Sequence, residues 1–363
     1  MARTAKGYSA PARYPAHTDL RERLNRAVDQ YFRTKGVRRE GGQRLWWKTA
    51  TIIAWAVGSW VALVFFTFAW WQALLAGASL GLAVAGIGFN VMHDGGHGAF
   101  SKRKWANRWM ARVLDLIGGS SYHWNWKHNI LHHQYTNVDG VDEDLEAEPF
   151  LRLAPRQKRR FYHRLQHLYV WGLLAFFYPK WQFVDDFRAL IRGKIGKQSI
   201  PRPRGFQLTW MLIGKTVFFA WALIVPLVMH SWWEVLLVYA FVCSVTGITI
   251  GVVFQLAHCV EEAAITPRPN EATPMPTAWA EHQLATTADF APRNPLLTWY
   301  LGGLNFQVEH HLFPRVSHVH YPKIAEVVQG VCRENGVPHH THRTLFGAFR
   351  SHIRFLRRMG RED

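Results

Sequence analysis

Two long stretches of this chain carry almost no charge, and their placement predicts its architecture. Between Lys48 and Asp94 there is no Lys, Arg, Asp or Glu. A hydrocarbon core about 30 Å thick is crossed by about 20 residues of helix, so two crossings fit there back to back, over residues 49–70 and 72–92. A second apolar stretch runs from Gly205 to Cys259, interrupted only by Lys215 and Glu234, with His230-Ser231-Trp232-Trp233-Glu234 as its natural turn. Two more crossings are predicted over 208–229 and 235–256. The expected fold is an all-α integral membrane protein: four spans in two hairpins, with the polar remainder forming a helical cap on one side.

Shorter patterns fill in the cap. Residues 1–45 open as a basic arm containing Pro and Arg and then read as a surface helix over 20–32, with Thr18 or Asp19 as its cap. The main domain is expected over 46–360. Trp105, Trp109, Val113 and Leu116 recur among basic residues at helical spacing, which predicts an amphipathic helix over Lys104–Leu116 lying on the membrane surface. Residues 161–187 are rich in aromatics but broken by Arg, His, Lys and Asp, and read as interfacial or re-entrant. Residues 266–276 form a Pro-rich loop. Lys215, alone inside the third span, is expected to snorkel to the headgroups.

Charge orients this plan. The chain carries 43 Lys and Arg against 25 Asp and Glu, a formal charge of +18. The hairpin tips, near Trp70-Trp71-Gln72 and Ser231, have no Lys or Arg, whereas the stretches before Lys48, between Lys102 and Arg204 and after Arg315 are rich in them. Cytoplasmic loops retain such residues, so both termini and the cap are expected on the cytoplasmic side. Attraction to anionic lipid accounts for much of the excess, and a docking face for an acidic electron carrier for some of the rest. No nucleic-acid recognition motif accompanies it. The cysteines, Cys243, Cys259 and Cys332, form no C-x-x-C pair and fit a reducing compartment. A polar, basic run of more than forty residues before any apolar stretch argues against a cleaved signal peptide.

The chemistry lies in histidines at the predicted span exits. They fall in His93-Asp94-Gly95-Gly96-His97, His128-Asn129-Ile130-Leu131-His132-His133 and Gln307-Val308-Glu309-His310-His311, with His258 at the end of the fourth span. On an α-helix His93 and His97 face one side. His128 and His132 do likewise, with His133 turned about 100° away, so neighbouring rings can serve two metals. Eight imidazoles exceed what one zinc ion takes, and two metal ions are the economical reading. Imidazole alone does not choose among zinc, copper, iron and nickel. Gln307 is a candidate amide ligand or partner of bound water. Asp94, Asp139, Asp142 and Asp144 are candidates to hold outer ring nitrogens, the last three equally well a solvated acidic loop. His123, His163, His167, His318, His320, His339, His340 and His342 read as surface or structural. Trp124 and Trp126 read as interfacial packing.

These three motifs, with their flanks Asn90-Val91-Met92 and Leu312-Phe313-Pro314, resemble those of the membrane fatty acid desaturases over roughly residues 45–360. Within that family they are similar to the front-end group, which includes cyanobacterial delta-6 acyl-lipid desaturases and bacterial linoleoyl-CoA desaturase-like proteins. Gln307 heading the third motif is a mark of that group. The resemblance implies a diiron centre held by His93, His97, His128, His132, His133, His258, His310 and His311. It also implies O2 as co-substrate and a cis double bond introduced into a fatty acyl lipid or acyl-CoA. The His-Pro-Gly-Gly haem motif of fused cytochrome b5 domains does not occur in this sequence, so the expected electron donor is a separate ferredoxin or cytochrome b5-type carrier.

Other chemistries stay in view. A hydroxylase, epoxidase or acetylenase would use nearly the same ligands, and a sphingolipid or carotenoid substrate the same scaffold. A zinc membrane hydrolase would need a catalytic carboxylate, for which the first motif offers only Asp94 among helix-weakening glycines. A metal sensor or transporter would place its ligands within the spans rather than at their exits. A carboxylate-bridged diiron site lacks its E-x-x-H pairs.

Overall fold

The computed structural model describes residues 12–16, 18–66, 69–268 and 274–362. The first part of the amino-terminal arm and the middle of the Pro-rich loop lie outside these. Four helices are long and apolar enough to cross a membrane: Gly42–Phe65, Trp70–His97, Phe206–Met229 and Trp232–His258. They begin two to seven residues before the expected starts, and the second and fourth run past the expected ends. Polar residues at those carboxyl ends stay helical because they pack inward. The second span continues through a π-helical turn at Gly88–Met92 and an α-turn at His93–His97 before left-handed Gly98, φ 75°, stops it.

Small residues decide how the spans pack. The second span lies between the first and the fourth. A Cβ on Gly81 would stand 2.9 Å from the Val242 carbonyl oxygen, and the Thr246 hydroxyl donates to the Gly81 carbonyl at 3.1 Å. Such close approach is how helices associate in lipid, where burial of apolar surface gives no advantage. The third span packs chiefly against the amphipathic helix Lys104–Leu116. There Gly214 lies against Asp115, and Trp221 donates its indole N–H to Leu116 at 2.9 Å.

The aromatic-rich segment is a succession of helical pieces from Phe161–Leu165 to Asp186–Arg192, laid across the fourth span. Gly247 and Gly251 form the crossing point, since a Cβ at Gly247 would meet the Leu174 carbonyl oxygen at 2.5 Å. Lys215 corrects the sequence reading. Its ammonium does not snorkel but is buried against Asp186 Oδ2 at 2.7 Å and donates to the Gly118 and Gln182 carbonyls at 2.6 and 3.1 Å. A buried carboxylate 29 residues upstream outweighs the reach to water, because leaving that carboxylate unpaired would cost more than burying the pair.

The remaining helices form a layer at the histidine-bearing end. The amphipathic helix Asp19–Lys35 buries Leu20, Leu24, Val28 and Phe32 against Ile324, Ala325 and Val328 of Tyr321–Glu334. Short strands tie this layer together. Asp289–Phe290 pairs in parallel with Thr341–His342, and Lys194–Ile195 pairs antiparallel with Gln198–Ser199.

Candidate metal centre

Each histidine motif is presented by a different piece of backbone. The first ends the second span, where its two glycines permit close approach: a Cβ on Gly95 would meet the Ala111 nitrogen at 2.6 Å, and one on Gly96 the Trp124 ring at 2.2 Å. The second motif lies on a π-helix, Asn125–His132. The third is a short helix, Gln307–Leu312, and His258 is the last residue of the fourth span.

The π-helix corrects the register assumed from sequence. His133 N–H donates to the His128 carbonyl at 3.0 Å, an i→i+5 bond. That wider turn brings residue i+5 rather than i+4 over residue i. His128 and His133 therefore meet, Nε2 to Nε2, at 3.2 Å. His132 is turned to a different group.

All eight predicted histidines converge. Ligand nitrogens of His93, His97, His128 and His310 lie within 4.8 Å of one another, as do those of His132, His258 and His311 and those of His133, His310 and His311. The rings are buried except for His97, which is partly so. Two lobes result, bridged by His133, whose ring centroid is 4.6 Å from that of His310 and 4.3 Å from that of His311.

Outer nitrogens are anchored so that inner ones face the lobes. His132 Nδ1 lies 3.0 Å from Asp142 Oδ2, His258 Nδ1 3.2 Å from the Thr286 carbonyl and His310 Nδ1 3.2 Å from the Tyr321 hydroxyl. His311 Nδ1 lies 2.8 Å from Gln283 Oε1. Such partners fix ring orientation and tautomer in metal sites. The Nε2 atoms of His97, His132, His310 and His311 are buried without any hydrogen-bond partner. Buried polar atoms are seldom left so, and converging imidazole lone pairs are what a pair of cations requires, so this donor set fits a dimetal centre.

Other candidates fall in different places. Gln307 reaches the second lobe, its side-chain amide 2.9 Å from His258 Nε2. Asp94 turns away from the ligand rings, accepting from Ser317 Oγ at 2.7 Å and lying 3.0 Å from His318 Nδ1, whose other nitrogen meets Lys48 at 2.8 Å. The reason is local: residue 94 is one step round the helix from His93, so it faces the cap. Asp139 stands outside the centre, among Lys197, Arg156 and Glu148, and holds no ligand histidine. Asp144 stands between Lys127, at 2.9 Å, and His132, whose Nδ1 lies 3.4 Å from its other oxygen. His123, His163 and His318 are buried and structural. Trp124 is not interfacial; it is buried and stacks on His128 at 4.6 Å. Gln283, Thr286 and Tyr321 were invisible to sequence reasoning because nothing in their local pattern marks a metal partner.

Burial, then the neighbouring imidazoles, hold His128, His133, His310 and His311 well below the ordinary imidazole range. They are neutral at pH 7 and available as ligands. For His132 burial also pulls downward, but the Asp142 carboxylate outweighs it and raises the ring. Behind the third motif, His339 Nε2 lies 3.0 Å from Glu309 Oε1, and burial pushes Glu309 up to about 7.

A cavity of about 330 Å³ leads to the first lobe. Met92, His93, Trp124, His128 and Phe254 are among its apolar and histidine lining, while its charged part mixes Lys127, Lys180, Arg188, Arg192 and Lys194 with carboxylates that include Asp144 and Asp185.

Fold and site together define a helical membrane protein in which eight histidines, from the ends of two spans and from two further helices, converge beside an apolar cavity in an arrangement compatible with metal. The chain belongs to the fatty acid desaturase family, whose sequence profile matches residues 68–343, and it is an oxidoreductase of lipid metabolism. An sn-1 linoleoyl-lipid 6-desaturase of Arthrospira platensis is 38% identical over 341 residues, 94% of this chain and 92% of that protein. Another from Synechocystis is 34% identical over 343 residues, covering 94% and 96%. An acyl-lipid (8-3)-desaturase of Physcomitrium patens is 33% identical over 345 residues, covering 93% and 71%. The hydrolase alternative also loses its carboxylate, since Asp94 faces Ser317 and His318.

Proposed function

We propose that this chain is a front-end desaturase, placing a new cis double bond between an existing one and the carboxyl end of an acyl lipid or acyl-CoA. The observation that carries the reading is the opening of a charged-mouthed apolar cavity onto His93 and His128 of a two-lobed histidine centre. The names of the relatives support the acyl-lipid substrate and the front-end position.

Two iron ions fit the donor set: His93, His97, His128 and His310 for one, His132, His258 and His311 for the other, with His133 between. When bound, the reduced diiron pair and O2 supply the oxidising power that removes two hydrogens from adjacent methylenes, with two electrons and two protons completing the reduction of O2 to water. The protein's own part is positional. Anchored outer nitrogens hold the rings in place, and the cavity walls orient an unactivated methylene pair while excluding water. Low proton affinity keeps most of the imidazoles unprotonated near neutrality. Arg188 and Arg192 suit the anionic or polar head of the substrate, Lys180 being paired with Asp185 at 2.6 Å.

In this reading the four spans form two hairpins. Both termini and the centre lie on the cytoplasmic side, where a separate ferredoxin or cytochrome b5-type protein delivers electrons. Residues 46–360 form the desaturase domain, and residues 1–45 are a basic arm and a helix, of which Asp19–Lys35 packs on that domain. The test is fatty-acid analysis of a host expressing the chain with a ferredoxin system and fed oleic and linoleic acids. A double bond on the carboxyl side of the existing ones, absent from the His310→Ala strain, is the expected result. A hydroxy acid, or a bond on the methyl side, would overturn the front-end assignment.

A further inference from the structure

A second cavity, of about 380 Å³, lies among the spans and touches none of the eight converging histidines; Trp60, Leu63, Trp221, Trp233, Val238 and Val242 are among its lining. Among the described residues Tyr178 alone lines both this cavity and the one that reaches His93 and His128. Tyr178 is therefore the residue at which the two cavities meet, and it is held in place. The Tyr178 backbone is pressed against the fourth span at Gly247, where a Cβ would stand 3.2 Å from the Tyr178 nitrogen. Its hydroxyl donates to the Ile117 carbonyl, and its side chain packs among Leu80, Val84, Ile117 and Cys243. One turn on, Gln182 lines the second cavity only, held by the Tyr239 hydroxyl at 2.7 Å.

An acyl chain entering past the charged mouth and reaching His93 meets apolar wall beyond it, and the apolar space that continues is on the far side of the Tyr178 ring. We propose that Tyr178 sets the chain-length limit of this enzyme, and that the cavity among the spans receives the methyl end of longer acyl chains once that ring is absent. The proposal rests on the desaturase reading of the centre. Tyr178 touches the substrate tail and not the reacting carbons, so its loss leaves the position of the new double bond unchanged.

The test is competition in a host fed equal amounts of eighteen-, twenty- and twenty-two-carbon polyunsaturated acids. It compares the wild type with Tyr178→Ala and Tyr178→Leu, each normalised to protein in the membrane fraction. The expected result is a rise of about tenfold or more in long-chain over eighteen-carbon conversion for Tyr178→Ala, the size of discrimination a few methylenes give in an apolar pocket. Tyr178→Leu should show a smaller rise, and it carries the test if the alanine variant accumulates poorly. Tyr178→Phe, which keeps the ring and loses only the hydroxyl, should retain the wild-type ratio. An unchanged ratio in both truncations, with eighteen-carbon product still formed, would overturn the partition while leaving the desaturase reading intact. A shift in Tyr178→Phe as large as in Tyr178→Ala would assign the effect to the hydroxyl and overturn it too. Absence of desaturated product from the wild type would remove the underlying reading instead.

Discussion

The second and third spans are both uncharged or nearly so over their lengths, yet 61% of the second's apolar stretch is buried inside the protein and only 22% of the third's. The second span carries Gly77, Gly81, Ala83, Ala85 and Gly86 on surfaces that touch its neighbours, and it ends in His93 and His97, two of the eight converging histidines. The third exposes Leu212, Ile213, Val217 and Ile224, and its one charge is neutralised within the protein. Hydropathy says only that a segment tolerates lipid. Small residues decide which segment lets other backbones come close, and that segment becomes the axis on which the metal centre is built.

The comparison breaks most completely at the end of the buried span. His93→Ala, or His128→Ala and His310→Ala across from it, should abolish turnover while the protein still inserts, measured as product against membrane-fraction protein. Next comes the neutralised charge of the third span. Lys215→Met leaves the buried Asp186 carboxylate without its ammonium, with only Trp181 and His123 beside Oδ1, and should cost about 3–5 kcal/mol, whereas Lys215→Met with Asp186→Leu should recover most of that. Thermal unfolding in detergent would show the loss and the recovery.

Overpacking the axis is expected to cost less. Gly81→Leu drives a side chain into Val242 and Val245 and should destabilise by about 1–3 kcal/mol or more. Gly58→Ala in the first span meets nothing within 4 Å and should be neutral or stabilising by up to about 1 kcal/mol. A similar cost at both positions would remove the distinction between axis and periphery.

A smaller effect concerns Glu309, which burial raises from 4.5 to about 7. The folded state favours its protonated form, so its contribution is fully present below the ordinary glutamate range and is lost as pH rises through about 7. The slope is at most about 1.4 kcal/mol per pH unit. The melting temperature of the wild type should therefore fall between pH 5 and pH 8, and that of Glu309→Gln should fall less. Equal slopes would mean that Glu309 is already ionised in the folded protein.

What the sequence revealed follows the same division. The four spans and the eight converging histidines were legible, because hydropathy and ligand clusters are local patterns. The docked amino-terminal helix was legible in its apolar spacing. The π-helical register of the second motif was not, since i→i+5 bonding leaves no mark in the spacing of the histidines. Lys215 was misread for a related reason: its partner Asp186 is near only in three dimensions. Asp94 looked like a partner for ligand rings until the helix turned it toward Ser317 and His318. Gln283, Thr286 and Tyr321, which orient His311, His258 and His310, come from segments with no mark of metal chemistry.

The central claim is that two lobes of imidazoles hold two iron ions. Metal analysis of the purified full-length protein tests it directly, beside His97→Ala in the first lobe and His258→Ala in the second. The account predicts about two iron ions per chain in the wild type, falling toward one in each variant. One metal per chain in the wild type, or zinc in place of iron with oxygen consumption absent, would contradict it.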